Sequence, residues 1–354
     1  MLSFIDEFSK KVEKMEGVSG DMIPPTYWVG IGNYAVNKIV SGSYYRAIPQ
    51  GRITCLAGPS GSGKSFLMCN LLKNAQLDDC FILHLDSEHA IDPSYLSRVG
   101  VSTSKSKYKY LSVSTFGSVT KALSEFIHMY NTACEHLDDD KKPKVIIALD
   151  SIDQLLTDSE EENFNKGIQK GDQGQRAKQQ KQMLRTITQQ IKRLPFAFLL
   201  SHQVYPNMDL TNGNGKWIVN NGLRFACSQI FMVESLTLKE ETKITGVRMR
   251  VENYKSRFTM KGARVEVEVP FDTGMDKYSG ILDMFVEQEI IRKSGAWYYL
   301  EYEGCPLIKF QSSKFNDELF EKCMLHPKVL ESEALVQDRM DFDPEDPVFE
   351  EMAD

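Results

Sequence analysis

The sequence predicts an α/β protein built on a mainly parallel twisted sheet flanked by helices, and three observations carry that prediction. Four short, almost wholly apolar runs, Ile53–Ala57, Phe81–Leu85, Val145–Leu149 and Phe196–Leu200, alternate with stretches of helical periodicity. That is the pattern of parallel strands covered on both faces. Every run ends in polar residues: Gly58, Asp86-Ser87-Glu88, Asp150, and Ser201-His202-Gln203. Open parallel sheets bind ligands beyond the carboxyl ends of their strands. The first run also leads straight through a glycine-rich turn into the helical stretch Phe66–Leu72.

The elements follow in chain order. Residues 1–30 read as an amphipathic helix and linker, with Phe4, Ile5, Phe8 and Val12 at helical spacing well ahead of the first core strand. An apolar stripe so placed can pack on something other than its own domain. Residues 31–277 form the core. Within it, two polar stretches follow strand ends, 156–182 and 206–221, and both read as mobile loops on the ligand face. After Arg248 the apolar period becomes two, in Arg248–Glu252 and Arg264–Val269 with Met260-Lys-Gly262 between. This predicts an antiparallel hairpin at the sheet edge. Residues 278–330 read as a small α/β appendage and 331–354 as an acidic disordered tail. No internal repeat is present.

Charge is unevenly spread. The chain of 354 residues has a formal net charge of −7. Its last 24 residues hold ten acids and one base, which leaves the rest with 41 bases and 39 acids, near neutral. An acidic tail on a neutral body either competes with a polyanion or simply aids solubility. The seven cysteines are scattered without a CxxC pair, so neither a disulfide framework nor a zinc site is indicated. No apolar run approaches a membrane span, and the N-terminus lacks a secretory pattern. A reduced, cytoplasmic compartment is expected.

The chemistry concentrates at the strand ends. Gly58-Pro59-Ser60-Gly61-Ser62-Gly63-Lys64-Ser65, followed by Phe66, has the spacing of a phosphate-binding loop in its required strand-to-helix context. Its glycines let the backbone curl so that N–H groups point at phosphate oxygens, and the helix N-terminus adds partial positive charge. Lys64 supplies a point charge to the β- and γ-phosphates of ATP, and Ser65 a hydroxyl for Mg2+. Asp150 is the expected carboxylate for the same Mg2+. Glu88 is placed either to orient an attacking water or to cap a turn within Asp86–Pro93. Tyr95 either stacks on a base or packs, and His202 or Gln203 could sense a γ-phosphate. In the first loop Lys166, Lys170, Arg176, Lys178 and Lys181 lie among glutamines, and in the second Lys216 adjoins Trp217. Such residues suit phosphate contact and base stacking, or a solvated surface.

Read together, these blocks resemble the RecA-type recombinase family. The resemblance runs from about residue 30 to 300. It is carried by Ile48–Ile53 leading into Gly58–Ser65, Leu85–Tyr95, Ile147–Ser151, Gly171-Asp172, Asn221–Phe225, Lys255-Ser-Arg257, Tyr278–Asp283 and Lys293–Tyr298. Within the family it looks most similar to the bacteriophage UvsX recombinases, notably in Leu85–Glu88, Lys255–Arg257 and Tyr278–Asp283.

The resemblance implies a RecA-like ATPase core and a protein that polymerises on single-stranded DNA with ATP and Mg2+, then exchanges strands with a homologous duplex. Glu88 matches the water-activating glutamate, Tyr95 an adenine-stacking residue, and Asp92 a position near the adenine edge. Lys255 and Arg257 match a basic pair that reaches a neighbouring subunit's γ-phosphate. The loops match DNA-binding segments, making Arg176, Lys178, Lys216, Trp217 and Arg224 candidate DNA contacts. Partners implied are the filament itself, both DNA forms, and single-strand-binding and loading proteins. A RecA-fold hexameric helicase and a non-catalytic mediator paralogue are the competing readings. Intact Lys64, Glu88, Asp150, Lys255 and Arg257 argue against a degenerate site.

Overall fold

A computed structural model describes residues 2–12, 15, 24–168, 170, 174–207, 216–240 and 243–340. Eight strands form the central sheet, in the order Arg264–Pro270, Lys243–Ser256, Gln229–Glu240, Ile53–Gly58, Phe196–Gln203, Val145–Asp150, Phe81–Asp86 and Tyr108–Ser112. From Gln229–Glu240 to Tyr108–Ser112 each neighbouring pair is parallel. Lys243–Ser256 and Arg264–Pro270 add an antiparallel edge.

Ile53–Gly58 and Val145–Asp150 are buried along their whole length, which is why both read as continuous apolar runs. Successive side chains still serve opposite layers. Leu56, Ile146, Ala148 and Leu199 pack with the helices Tyr34–Ser41, Lys64–Leu77 and Ile281–Glu287. Cys55, Ile147, Leu149, Phe198 and Leu200 pack with Phe116–Cys134, Gln175–Ile191 and Asn221–Ala226. The edge strand Arg264–Pro270 instead alternates exposed and buried residues, as a sheet with one wet face does.

The expected hairpin is present, with Val251 opposite Val265 and Arg250 opposite Glu266. Two strands were not anticipated. Tyr108–Ser112 is an edge strand with a mostly exposed pattern, and Gln229–Glu240 joins the parallel strands to the hairpin. The polar stretch 156–182 is largely helical among its described residues, in Asp158–Asn165 and the start of Gln175–Ile191. A capping box explains the first of these: Thr157 Oγ1 accepts from Glu160 N while Glu160 Oε2 accepts from Thr157 N. At the second loop, Tyr205–Pro206 pairs with Trp217–Ile218 as a short antiparallel stem.

Residues 281–324 hold a three-stranded antiparallel sheet with flanking helices, as the appendage reading expects. The chain then departs from the reading of 331–354 as disordered, because the helix Pro327–Met340 covers its first part. Glu333 fixes this helix to the core, accepting from Lys38 Nζ at 3.0 Å, Ser43 Oγ at 2.7 Å and Tyr44 N at 3.1 Å. Residues 341–354 lie outside the described residues. At the other end, the helix Leu2–Val12 presents Phe4 and Phe8 to solvent as a stacked pair 6.3 Å apart. Among the described residues no helix is long and apolar enough to cross a membrane.

Candidate functional site

The strand Ile53–Gly58 delivers the chain to the phosphate-binding turn, and the helix Lys64–Leu77 leaves it. Two glycines are sterically required. A Cβ at Gly58 would lie 2.3 Å from Val233 O and 2.5 Å from Ser62 Oγ. Gly63 has φ +90°, in the left-handed region, and a Cβ there would meet Met249 Cε at 2.7 Å. Gly63 occupies the helix N-cap with no side chain capping it, so the first helical N–H groups are available to an anion. The Ser62 hydroxyl is buried and has no hydrogen-bond partner among the described residues. This concave turn with an orphaned hydroxyl fits a phosphate chain.

Lys64 Nζ donates to Gly58 O at 3.0 Å and Pro59 O at 2.8 Å, folded over the turn it would serve. Burial lowers its pKa, opposed by the charges of Asp150, Glu88 and Asp153. Ser65 sits one residue on, half-buried, and Asp150 is buried at the end of its strand. A hydroxyl and a carboxylate are the small protein donor set that Mg2+ takes alongside substrate phosphates. The donors present therefore fit that ion.

Strand register places Asp86 directly opposite Asp150. Asp150 Oδ1 accepts from Ser201 Oγ. Asp86 is spent on its own turn, its Oδ1 accepting from Glu88 N at 2.9 Å and His89 N at 2.8 Å. Turn capping thus falls to Asp86, and Glu88 is released from it. The Glu88 carboxylate instead accepts from Ser151 Oγ at 2.6 Å, beside Asp150. Asp92 caps the helix Pro93–Val99, with Ser94 N donating to its Oδ1 at 2.5 Å. Tyr95, in that helix, is half-buried against the core, and burial pushes its phenol up to about 12.

Asp153, which sequence reading passed over, organises the next layer. Its carboxylate meets His202 Nδ1 at 2.9 Å and accepts from Gln203 N at 2.6 Å. His202 Nε2 accepts from Asn220 N at 3.4 Å, so the imidazole proton belongs on Nδ1, donated to Asp153. Both His202 nitrogens are therefore engaged within the protein. The Gln203 side-chain amide has no hydrogen-bond partner among the described residues. Asp153 O also accepts from the Arg176 guanidinium, which lies 5.9 Å over the Phe116 ring. The available signal for Asp153 was its place three residues after Asp150 on the same strand end.

The candidate DNA residues do not form one cluster. Lys178 is exposed on the helix Gln175–Ile191. Lys216 and Trp217 converge on Glu234 at 2.7 and 2.5 Å. Arg224 lies on the helix Asn221–Ala226, and Lys255 Nζ donates to Arg224 O in that helix and to Cys227 O at its C-cap. Gly171-Asp172 lie outside the described residues.

Lys255 and Arg257 stand apart from the phosphate-binding turn of their own chain. Lys255 is opposite Ile230, which is opposite Cys55, and Arg257 N donates to Ser228 O. That level is three residues before Gly58, about 10 Å short of the turn at the usual rise per residue. Burial, then the charges of Arg257 and Arg224, lower the Lys255 pKa.

A phosphate-binding turn on a mostly parallel sheet, with a buried carboxylate on a nearby strand, defines a P-loop nucleotide-binding protein. The RecA N-terminal domain family model matches residues 28–276, and the chain belongs to the RecA family. It is 30% identical to Protein RecA of Streptomyces rimosus over 261 residues, 73% of this chain and 64% of that one. Against Protein RecA of Frankia casuarinae it is 28% identical over 288 residues, covering 80% and 76%. With that of Oleidesulfovibrio alaskensis it shares 26% over 260 residues, covering 71% and 68%. The chain thus spans under two thirds of the length of the Streptomyces relative.

Proposed function

We infer that this chain is a DNA-dependent ATPase that forms filaments on single-stranded DNA and exchanges strands with a homologous duplex. One observation carries the reading: the chain separates a nucleotide cradle from a basic pair that lies lower on the same sheet, two strands away. Lys255 and Arg257 lie about three strand residues short of Gly58, some 10 Å. Each chain then offers half a site at either end, and head-to-tail stacking joins the halves. A cation supplied in trans makes hydrolysis depend on assembly, as an arginine finger does.

In the assigned roles, the N–H groups of Gly58–Ser65 and Lys64 hold the phosphates, with Ser65 and Asp150 as Mg2+ ligands. Bound Mg2+ would neutralise charge on the phosphate oxygens. Glu88, oriented by Ser151, takes the proton of the attacking water. Tyr95 packs against adenine, with Asp92 at its edge. Gln203 is favoured over His202 as the γ-phosphate sensor, because its amide has no partner among the described residues while both nitrogens of His202 are engaged. His202 then relays to Asn220, at the exit of the second loop. Arg176, Lys178, Lys216, Trp217 and Arg224 are the proposed DNA contacts, and the helix Leu2–Val12 is the proposed protomer-docking element, its exposed Phe4 and Phe8 being the apolar surface such docking needs.

The motifs Leu85–Glu88, Lys255–Arg257 and Tyr278–Asp283 favour a bacteriophage UvsX-type member acting in the host cytoplasm, with single-strand-binding and loading proteins as helpers. Hydrolysis measured with and without single-stranded DNA, beside electron microscopy with a slowly hydrolysed ATP analogue, tests the reading. Stimulated turnover and filaments are expected. Their joint absence would sink it, and translocation without homologous pairing would point to a helicase.

A further inference from the structure

Glu234 stands between the phosphate-binding turn and the stem of the second loop. Its two neighbours on the strand Gln229–Glu240 reach the turn. Val233 O is the atom that a Cβ at Gly58 would strike, and Ser235 Oγ donates to Gly61 O at 3.1 Å. Side chains alternate along a strand, so Glu234 leaves on the side opposite Ser235. There its Oε1 accepts from both Lys216 Nζ at 2.7 Å and Trp217 Nε1 at 2.5 Å. The Lys216 ammonium also lies 4.8 Å over the Trp217 ring. Arg250 approaches the other carboxylate oxygen at 3.6 Å and is itself held by Glu266. The Glu234 side chain is only 19% exposed, whereas that of Lys216 is 69% exposed.

Burial raises the pKa of the Glu234 carboxyl, but hydrogen bonds from Lys216 and Trp217, with the charges of Lys216 and Arg250, outweigh it and leave a net lowering. The anion is therefore fixed in place, and its chemistry matches what a nucleic acid would bring. A carboxylate oxygen and a phosphodiester oxygen offer an ammonium the same acceptor. An indole freed from its N–H···O bond can stack on a base.

We propose that Glu234 is a positioning residue that holds Lys216 and Trp217 as an internal stand-in for a DNA phosphate, so that a single strand must displace it to engage the second loop. The inference rests on the reading of residues 206–221 as a DNA-contacting loop. Because Val233 and Ser235 abut the phosphate-binding turn, the strand that carries Glu234 touches both the turn and the second-loop stem.

The test is the affinity of a fluorescently labelled oligothymidylate for the full chain with an ATP analogue, from about 50 to 200 mM salt. Glu234→Gln is expected to bind about two- to fivefold tighter, the range for removing one ion pair whose ammonium is solvent-exposed and competes with the ligand. Its salt dependence should keep the wild-type log–log slope, because Lys216 meets the same phosphate in both complexes. In a Lys216→Gln background the gain should disappear. Equal or weaker binding by Glu234→Gln, or a gain that survives without Lys216, overturns the proposal while leaving the loop's DNA role intact. A wild type that fails to bind the oligonucleotide defeats both. Should Glu234→Gln not fold, the readout is Trp217 emission, taken as wild type minus Trp217→Phe. It should shift when oligothymidylate is added, and an unchanged spectrum overturns the proposal.

Discussion

Ser151 Oγ donates a 2.6 Å hydrogen bond to Glu88 Oε1, tying together the ends of two parallel strands where Asp86 and Asp150 stand side by side. The bond fixes one carboxylate oxygen and leaves the other to act. Glu88→Gln should lower DNA-stimulated kcat by about 10²–10⁴-fold, the usual worth of a positioned base, while nucleotide affinity holds. Ser151→Ala should cost about tenfold in kcat, the equivalent of one hydrogen bond to a charged group. Single-turnover hydrolysis beside equilibrium binding of a fluorescent ATP analogue separates these effects.

The proposed division of the site between chains is open to a complementation experiment. Lys64→Ala keeps the basic pair and loses the cradle's cation, whereas Lys255→Ala/Arg257→Ala does the reverse. Each alone should be inactive. Mixed in equal amounts they should recover about a quarter of wild-type turnover, since random head-to-tail stacking pairs an intact cradle with an intact basic pair at about one junction in four. No recovery would indicate that both halves act within one chain.

Gly63→Ala tests the backbone requirement. A residue with Cβ held at φ +90° against Met249 should lose about 1–2 kcal/mol of stability from backbone strain. Nucleotide affinity should fall further, because the N–H groups rotate away from the phosphates. Denaturant melts with and without ATP analogue would show less ligand-induced stabilisation than in the wild type.

Glu333→Ala tests the anchoring of the helix Pro327–Met340. Lys38 is 12% exposed at its side chain and Glu333 23%, so the substitution leaves a buried ammonium with only Ser332 Oγ as acceptor and strands two further donors. A loss on the order of 3 kcal/mol is expected, with Glu333→Gln intermediate. Unfolding midpoints in urea would check the order, and a neutral Glu333→Ala would show that the helix is held by its apolar contacts alone.

Much of the core was legible because its signals are local. Ile53–Gly58 and Val145–Asp150 are buried on both faces and announce themselves as apolar runs, and the glycine spacing at Gly58–Ser65 encodes a backbone shape. The strand Gln229–Glu240 escaped because it serves two kinds of neighbour, parallel Ile53–Gly58 and antiparallel Lys243–Ser256, and carries no single period. Thr157 and Glu160 did carry a capping signal, hidden by the polarity of the helix they start. Glu234 could not have been found from sequence, since its partners Lys216, Trp217 and Arg250 are brought to it by three-dimensional pairing. The commitment of His202 to Asp153 and Asn220 is likewise a contact between elements, invisible in the run Ser201–Gln203.

If the site is shared between chains as proposed, the placement of Lys255 and Arg257 about 10 Å short of their own Gly58 has an arithmetical consequence. A row of n such chains contains n − 1 complete sites, with a bare cradle at one end and a spare basic pair at the other. On that proposal, turnover per chain should rise with length as (n − 1)/n, so a dimer should work at half capacity and an isolated chain at none. The two ends are chemically unlike, which gives the row a direction. A fragment carrying only one of the halves would bind a single end and stop growth there.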